Sequence, residues 1–240
     1  MHWRGSRALV LATALVVSCA TGPEPADLRS SRQPDTAAEA VELEHRELRV
    51  EGLERRLRRA TLRVRNRTCP GIGSGSAFAV HENVLVTNRH VVEGAAAIEA
   101  TTWDGRIFST DVVATAVAGD LAFVGVSEPL PAVLKLGQSA APGDEVTVVG
   151  YPGGSAITLT DGHVIDFVSG EMFMEPGMTM RLNAPIAPGS SGGPVVDNDG
   201  DVVAIIFAIE RDTGHALAVP IENLQAAVDS DAFTVRPPAC

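Results

Sequence analysis

From Thr61 onward the chain is cut into short pieces, and this limits the folds open to it. Runs rich in Val, Ile, Leu and Ala, such as Ser74–Val80, Val84–Thr87, Leu121–Val126 and Val202–Ile209, alternate with turn residues. His81-Glu82-Asn83, Asp104-Gly105 and Asp199-Gly200 are breaks of the kind that hairpins need. About a dozen such runs fit before Pro220, each strand-length and none long enough for a core helix. The spacing predicts an all-β domain of two six-stranded antiparallel barrels. A short C-terminal helix is expected over Ile221–Val228, after Pro220.

The first 60 residues read differently. Arg4 and Arg7 precede an apolar or small run, Ala8–Val17, which is too short to span a membrane and has the length of a signal-peptide core. Val16-Val17-Ser18-Cys19 resembles the lipobox of bacterial lipoproteins. That resemblance implies lipidation of Cys19 and a membrane anchor; the alternative is a plain secretory signal. Either way the chain is expected to be exported, to a periplasm or outer cell envelope. Residues 1–19 are therefore the expected signal peptide and 20–60 a tether and stalk, with the globular domain at 61–240. Thr21–Asp35 is rich in Pro, Ser and charge. Thr36–Ala60 is a charged helix with one weak stripe, Val50, Leu53, Leu57 and Ala60.

Of the three cysteines, setting Cys19 aside leaves Cys69 and Cys240, which bracket the domain. In an oxidising compartment they read as a disulfide, or else as two separate thiols. The net charge of −11 repels phosphates, which argues against a nucleic-acid partner.

Three motifs carry the chemistry. In Val86–Val92, VTNRHVV, His90 follows the end of a β-branched strand. In Gly119–Val126, GDLAFVGV, Asp120 opens an apolar strand. In Pro188–Val196, PGSSGGPVV, Ser191 lies among glycines ahead of another strand. Each means little alone. Together, in the order His, Asp, Ser, they resemble the trypsin-like serine proteases. The match is best to the bacterial HtrA (DegP-like) branch, and weaker to the tethered periplasmic proteases of actinobacteria. The resemblance spans roughly Ala60 to Val228 and implies a trypsin-like double barrel that cuts protein or peptide substrates.

It also implies roles. A serine hydroxyl is a poor nucleophile and needs an adjacent base. Ser191 would attack the peptide carbonyl, with His90 as base and then acid. Asp120 would hold the imidazole in the required tautomer. The N–H groups of Gly189 and Ser191 would form the oxyanion hole. The specificity pocket falls at Pro185 and Ile186, with Ile206 and Phe207 on a wall. With no acid at Pro185, cleavage is expected after small or medium apolar residues.

Two departures matter. Ser190 stands where digestive proteases place an Asp, and no IVGG-like start is present, so activation by a newly cut N-terminus is not expected. Only about twenty residues follow Pro220, too few for the PDZ domains that HtrA relatives often carry. Two other readings compete. Gly189-Ser190-Ser191-Gly192-Gly193 fits the G-x-S-x-G elbow of an esterase, but that elbow must enter a helix. A catalytically inactive protease fold used for binding is the other. Asp197–Asp201 reads as a hairpin turn rather than a calcium loop. No metal or cofactor is implied, and the oligomeric state is not legible.

Overall fold

A computed structural model describes residues 37–116, 119–169, 178–230 and 233–235. The expected signal peptide, the tether to residue 36, Cys19 and Cys240 lie outside the described residues. The chain divides into two compact units, Met1–Leu43 and Glu44–Cys240. Helix α1, Ala37–Ala60, begins in the first. The second holds all the described sheet structure.

The first barrel uses β1 (Thr61–Thr68), β2 (Ile72–His81), β3 (Val84–Thr87), β4 (Ala95–Thr101), β5 (Ile107–Ala116) and β6 (Ala122–Val126). They run in the order β5-β4-β1-β2-β3-β6, and pairing of β6 with β5 closes the ring. Strand β1 shows why: Leu62, Val64 and Asn66 turn inward, while Arg65 and Arg67 face solvent. That is the period-two pattern of a half-buried strand.

The second barrel uses β7 (Glu145–Gly150), β8 (Thr158–Ser169), β9 (Met178–Asn183), β10 (Pro194–Val196), β11 (Val202–Ile209) and β12 (Ala216–Pro220). They close in the order β10-β11-β12-β9-β8-β7. The two six-stranded barrels expected from the strand count are therefore present.

Alternation also supplies the packing between the barrels. On β2, Ala77 and Ala79 fill the first barrel, whereas Phe78 joins a separate cluster. On β11, Ala204 and Ile206 fill the second barrel, whereas Ile205 and Phe207 join the same separate cluster. That shared cluster is sealed by Ile221, Leu224 and Ala227 of α3, Ile221–Ser230. Each large apolar side chain buried there is worth roughly 1.5–3 kcal/mol.

The end of α1 packs into the shared cluster. Leu57 and Ala60 of α1 are buried in the shared cluster, and Leu53 packs against it. Arg56 donates from Nη2 to Asp199 O at 2.6 Å. The final turns of the stalk thus belong to the globular unit. The stripe Val50–Ala60 was visible in the sequence, but two helical turns do not by themselves require a partner. Val50 stays half exposed. The one-turn helix α2, Arg89–Val92, and a last strand β13, Phe233–Val235, which pairs with β5, are not among the expected elements. The Asp197–Asp201 segment is a hairpin turn, with Asp197 N donating to Asp201 O at 3.0 Å.

Candidate active site

Strand pairing brings His90 and Asp120 together. Strands β3 and β6 are antiparallel, with Thr87 opposite Ala122. The chain leaves β3 at Thr87 and reaches His90 three residues on, while Asp120 lies two residues before Ala122. Asn88 Nδ2 donates to Asp120 O at 2.9 Å, and Arg89 N to the same oxygen at 3.2 Å. The carboxylate is then used at both oxygens. His90 N donates to Oδ1 at 2.9 Å, and His90 Nδ1 lies 2.5 Å from Oδ2. Asp120 is 6% exposed, whereas the His90 side chain is about half exposed. A buried carboxylate that fixes one ring nitrogen leaves the other, Nε2, as the free acceptor.

The serine loop is held against the same corner. Ser76 N donates to Ser191 O at 2.7 Å, and Gly192 N donates to Ile206 O at 2.8 Å. Gly75 lies between Val91, the neighbour of His90, and the Ser191 carbonyl; a Cβ there would sit 2.7 Å from Val91 Cγ1 and 3.2 Å from Ser191 O. Ser191 Oγ is turned to Phe207 O, 3.4 Å away, and makes no hydrogen bond to His90. Such contacts often tighten only when substrate is bound. Strand β10 follows the loop directly, without the helix that an esterase elbow requires.

Two backbone N–H groups of this loop are left without an acceptor among the described residues. The trans peptide sets C=O and N–H on opposite sides. Pro188 O accepts from Gly153 N at 2.7 Å, which turns Gly189 N–H the other way. Ser190 O accepts from Gly193 N at 2.9 Å, which does the same for Ser191 N–H. Neither Gly189 N nor Ser191 N donates to any acceptor among the described residues. Gly189 reaches this geometry at φ 100°, a region that side chains resist. A Cβ on it would lie 2.5 Å from Tyr151 O.

Of the pocket residues, Pro185 is exposed and Ile186 half-buried. Ile186 packs against the second-barrel cluster that contains Ile206, Ala216 and Ala218. The sequence left open which of Ile206 and Phe207 faces inward. Ile206 faces the barrel interior, and Phe207, one residue on at a bulge, faces the shared cluster.

The segment Tyr151–Ser155, which includes a 3₁₀ turn at Pro152–Gly154, went unread in the sequence. Only Gly153-Gly154 signalled a turn there. Tyr151 is the one tyrosine of the chain. It is buried, and its hydroxyl donates to Thr61 O at 3.2 Å. Burial pushes its phenol up from 10.0 to about 12. A raised acid pKa means that stability is fully present below about pH 10 and is lost as pH rises through about 12. The shift corresponds to ~3 kcal/mol. Ultraviolet titration of folded protein should show half-ionisation of the tyrosine near pH 12; half-ionisation near pH 10 in folded protein would contradict this packing.

A double barrel with His, Asp and Ser gathered at one corner defines the chymotrypsin-like class of folds. The chain belongs to the family of the trypsin-like peptidase domain, whose family model matches residues 73–205. Among curated proteins, HhoA of Synechocystis sp. is 36% identical over 168 residues, covering 64% of this chain and 42% of HhoA. Serine protease Rv3671c of Mycobacterium tuberculosis is 29% identical over 160 residues, covering 62% and 40%. The chain spans about two fifths of the length of these relatives. Among solved structures, the active form of the Rv3671c protease has a TM-score of 0.69 at 22% identity, covering 80% of this chain and 88% of that one. The HtrA-type protease AlgW S227A variant, solved with a tripeptide, has a TM-score of 0.69 at 27% identity, covering 75% and 62%. These relatives place the chain near the HtrA/DegP-like serine proteases.

Proposed function

We propose that this chain is a serine endopeptidase acting through an acyl-enzyme. The observation that carries the reading is the doubly bonded His90–Asp120 pair beside a serine loop with two unused backbone donors. Ser191 Oγ would turn from Phe207 O towards His90, lose its proton to Nε2 and add to the substrate carbonyl. The oxygen of the tetrahedral intermediate would take the Gly189 and Ser191 N–H groups. His90 would then protonate the leaving amine, and water would repeat the sequence on the ester. Asp120 would hold the imidazolium in place.

The pocket proposal remains apolar. Ile186 and Ile206 pack with Ala216 and Ala218, and Pro185 supplies no charge for a cationic side chain. A peptide-library digest should give cleavage after Ala, Val or Leu that disappears in Ser191→Ala. The preference should be loose, about 1–3 kcal/mol per methylene. Dominant cleavage after Lys or Arg would show the pocket to be wrong. Absence of any cleavage by the parent would oppose the peptidase reading itself.

The envelope is the proposed location, since curated relatives include periplasmic DegP-like endoproteases. A role there in protein quality control or stress response is part of the proposal. We assign Cys19 to a lipid anchor and Cys69 to a disulfide with Cys240. In the chain-entropy model a loop that long stabilises by roughly 4–5 kcal/mol. One non-reducing peptide map of exported protein reads both assignments. It should show Cys69 joined to Cys240 and lipid on Cys19; Cys69 joined to Cys19 would refute both.

A further inference from the structure

Ser76 has no assigned role, yet it is fully buried and every polar atom on it is used at the serine loop or its supports. Its N–H donates to Ser191 O at 2.7 Å, and its carbonyl accepts Thr87 Oγ1 at 2.7 Å, just before His90. Its hydroxyl donates to Gly189 O at 2.8 Å and accepts from Tyr151 N at 2.9 Å. Gly189 is therefore gripped at both of its peptides. The peptide before it is held through Pro188 O by Gly153 N, and the peptide after it is held through its own O by Ser76 Oγ. The 151–155 segment that supplies Gly153 is fixed in turn by Ser76 at Tyr151 N and by Arg63, whose Nη1 donates to Gly154 O at 3.2 Å.

We propose that the Ser76 hydroxyl is a positioning residue for the oxyanion hole: it locks the Gly189 backbone, together with the Tyr151–Ser155 segment, so that Gly189 N–H faces the substrate carbonyl oxygen. The proposal rests on the peptidase reading above. Glycine at φ 100° has no side chain to hold its conformation, and peptides flanking such a residue flip easily unless both carbonyls are bonded. Removing the Ser76 hydroxyl frees the Gly189 carbonyl, so that its peptide keeps only the bond from Ser190 N to Ala187 O at 3.0 Å, and it leaves Tyr151 N–H without its acceptor. Substrate contacts elsewhere are untouched. The loss should therefore fall on the chemical step, where charge develops on the oxygen, and not on binding.

The test compares parent, Ser76→Ala and Ser76→Cys on a peptide amide substrate and on a peptidyl trifluoromethyl ketone, whose serine adduct places an oxyanion in the hole. Loss of a direct oxyanion donor costs about 10²–10³ in kcat. Loosening one should cost less, so Ser76→Ala should lower kcat by about 10–100-fold. KM should stay within about twofold, and the inhibition constant of the ketone should rise by a factor similar to the loss in kcat. Ser76→Cys, which keeps a weak donor, should fall between. Thermal melting confirms that each variant is folded. An unchanged kcat in folded Ser76→Ala overturns the proposal, as does a kcat loss without weaker ketone binding. A Ser76→Ala chain that does not fold overturns it too, because the hydroxyl would then hold the domain and not one backbone segment. A parent that cleaves nothing speaks instead against the triad.

Discussion

Asp120→Asn is expected to lower kcat by about 10⁴ with little change in folding or KM. The reason lies in the two hydrogen bonds. Asp120 Oδ1 accepts the backbone N–H of His90, and Oδ2 accepts at Nδ1 of the ring. Asparagine has one acceptor and one donor in place of two acceptors. If its oxygen keeps the backbone N–H, its NH₂ faces Nδ1. The ring must then carry its proton on Nε2, and it no longer has a lone pair for Ser191. If the amide turns over, its NH₂ meets the backbone N–H of His90, and two donors face each other in a buried site. The first arrangement is the cheaper, so the fold survives and the base is lost. Steady-state kinetics beside a melting curve checks this. A loss of less than tenfold would mean that Asp120 does not set the tautomer.

Gly192→Ala is the second large effect, and it acts through space and strain together. Gly192 has φ 84°. A Cβ there would sit 2.1 Å from Ser76 O, 2.3 Å from Thr87 Oγ1 and 3.2 Å from Asn88 N. Two of these are backbone atoms, Ser76 O in the middle of β2 and Asn88 N just past the end of β3, so neither can move without carrying the site corner with it. The left-handed conformation alone costs about 1–2 kcal/mol for an alanine, and relief of the overlap adds to that. Activity should fall towards that of Ser191→Ala, with a destabilisation of about 2–4 kcal/mol. A variant with parental activity and melting temperature would show that the loop does not dock against β2 and β3 as described.

The parts legible in the sequence were those with a local signature. Strand after strand showed Val, Ile and Leu between turn residues, and two closed barrels followed. The proposed triad stands out in the sequence because His90, Asp120 and Ser191 each sit in a short motif beside a strand. The helical turn at His90 does not, because Arg-His-Val-Val is a single turn, too short to show a helical period. Its helical form depends on the hold that Asp120 has on the Asn88 side chain and on the backbone of residues 89 and 90. The packing of Leu57 and Ala60 was missed for a related reason. Their partners, such as Val202 and Leu224, lie more than a hundred residues away, and a short apolar stripe does not name its partner. Ser76 and Gly153 carry no signal of a role at the site. A serine in a strand and a glycine in a turn are ordinary in sequence, and only three-dimensional contact gives them a role.

The most direct test of the central claim is covalent labelling of purified protein with a fluorophosphonate, followed by peptide mapping. The reagent needs a serine activated by a base and an oxyanion hole for its phosphoryl oxygen, so one reaction reads all the parts together. The expected result is one label per chain, on Ser191, absent in Ser191→Ala and strongly slowed in His90→Ala. No label on folded protein, or a label that persists in Ser191→Ala, would contradict the account.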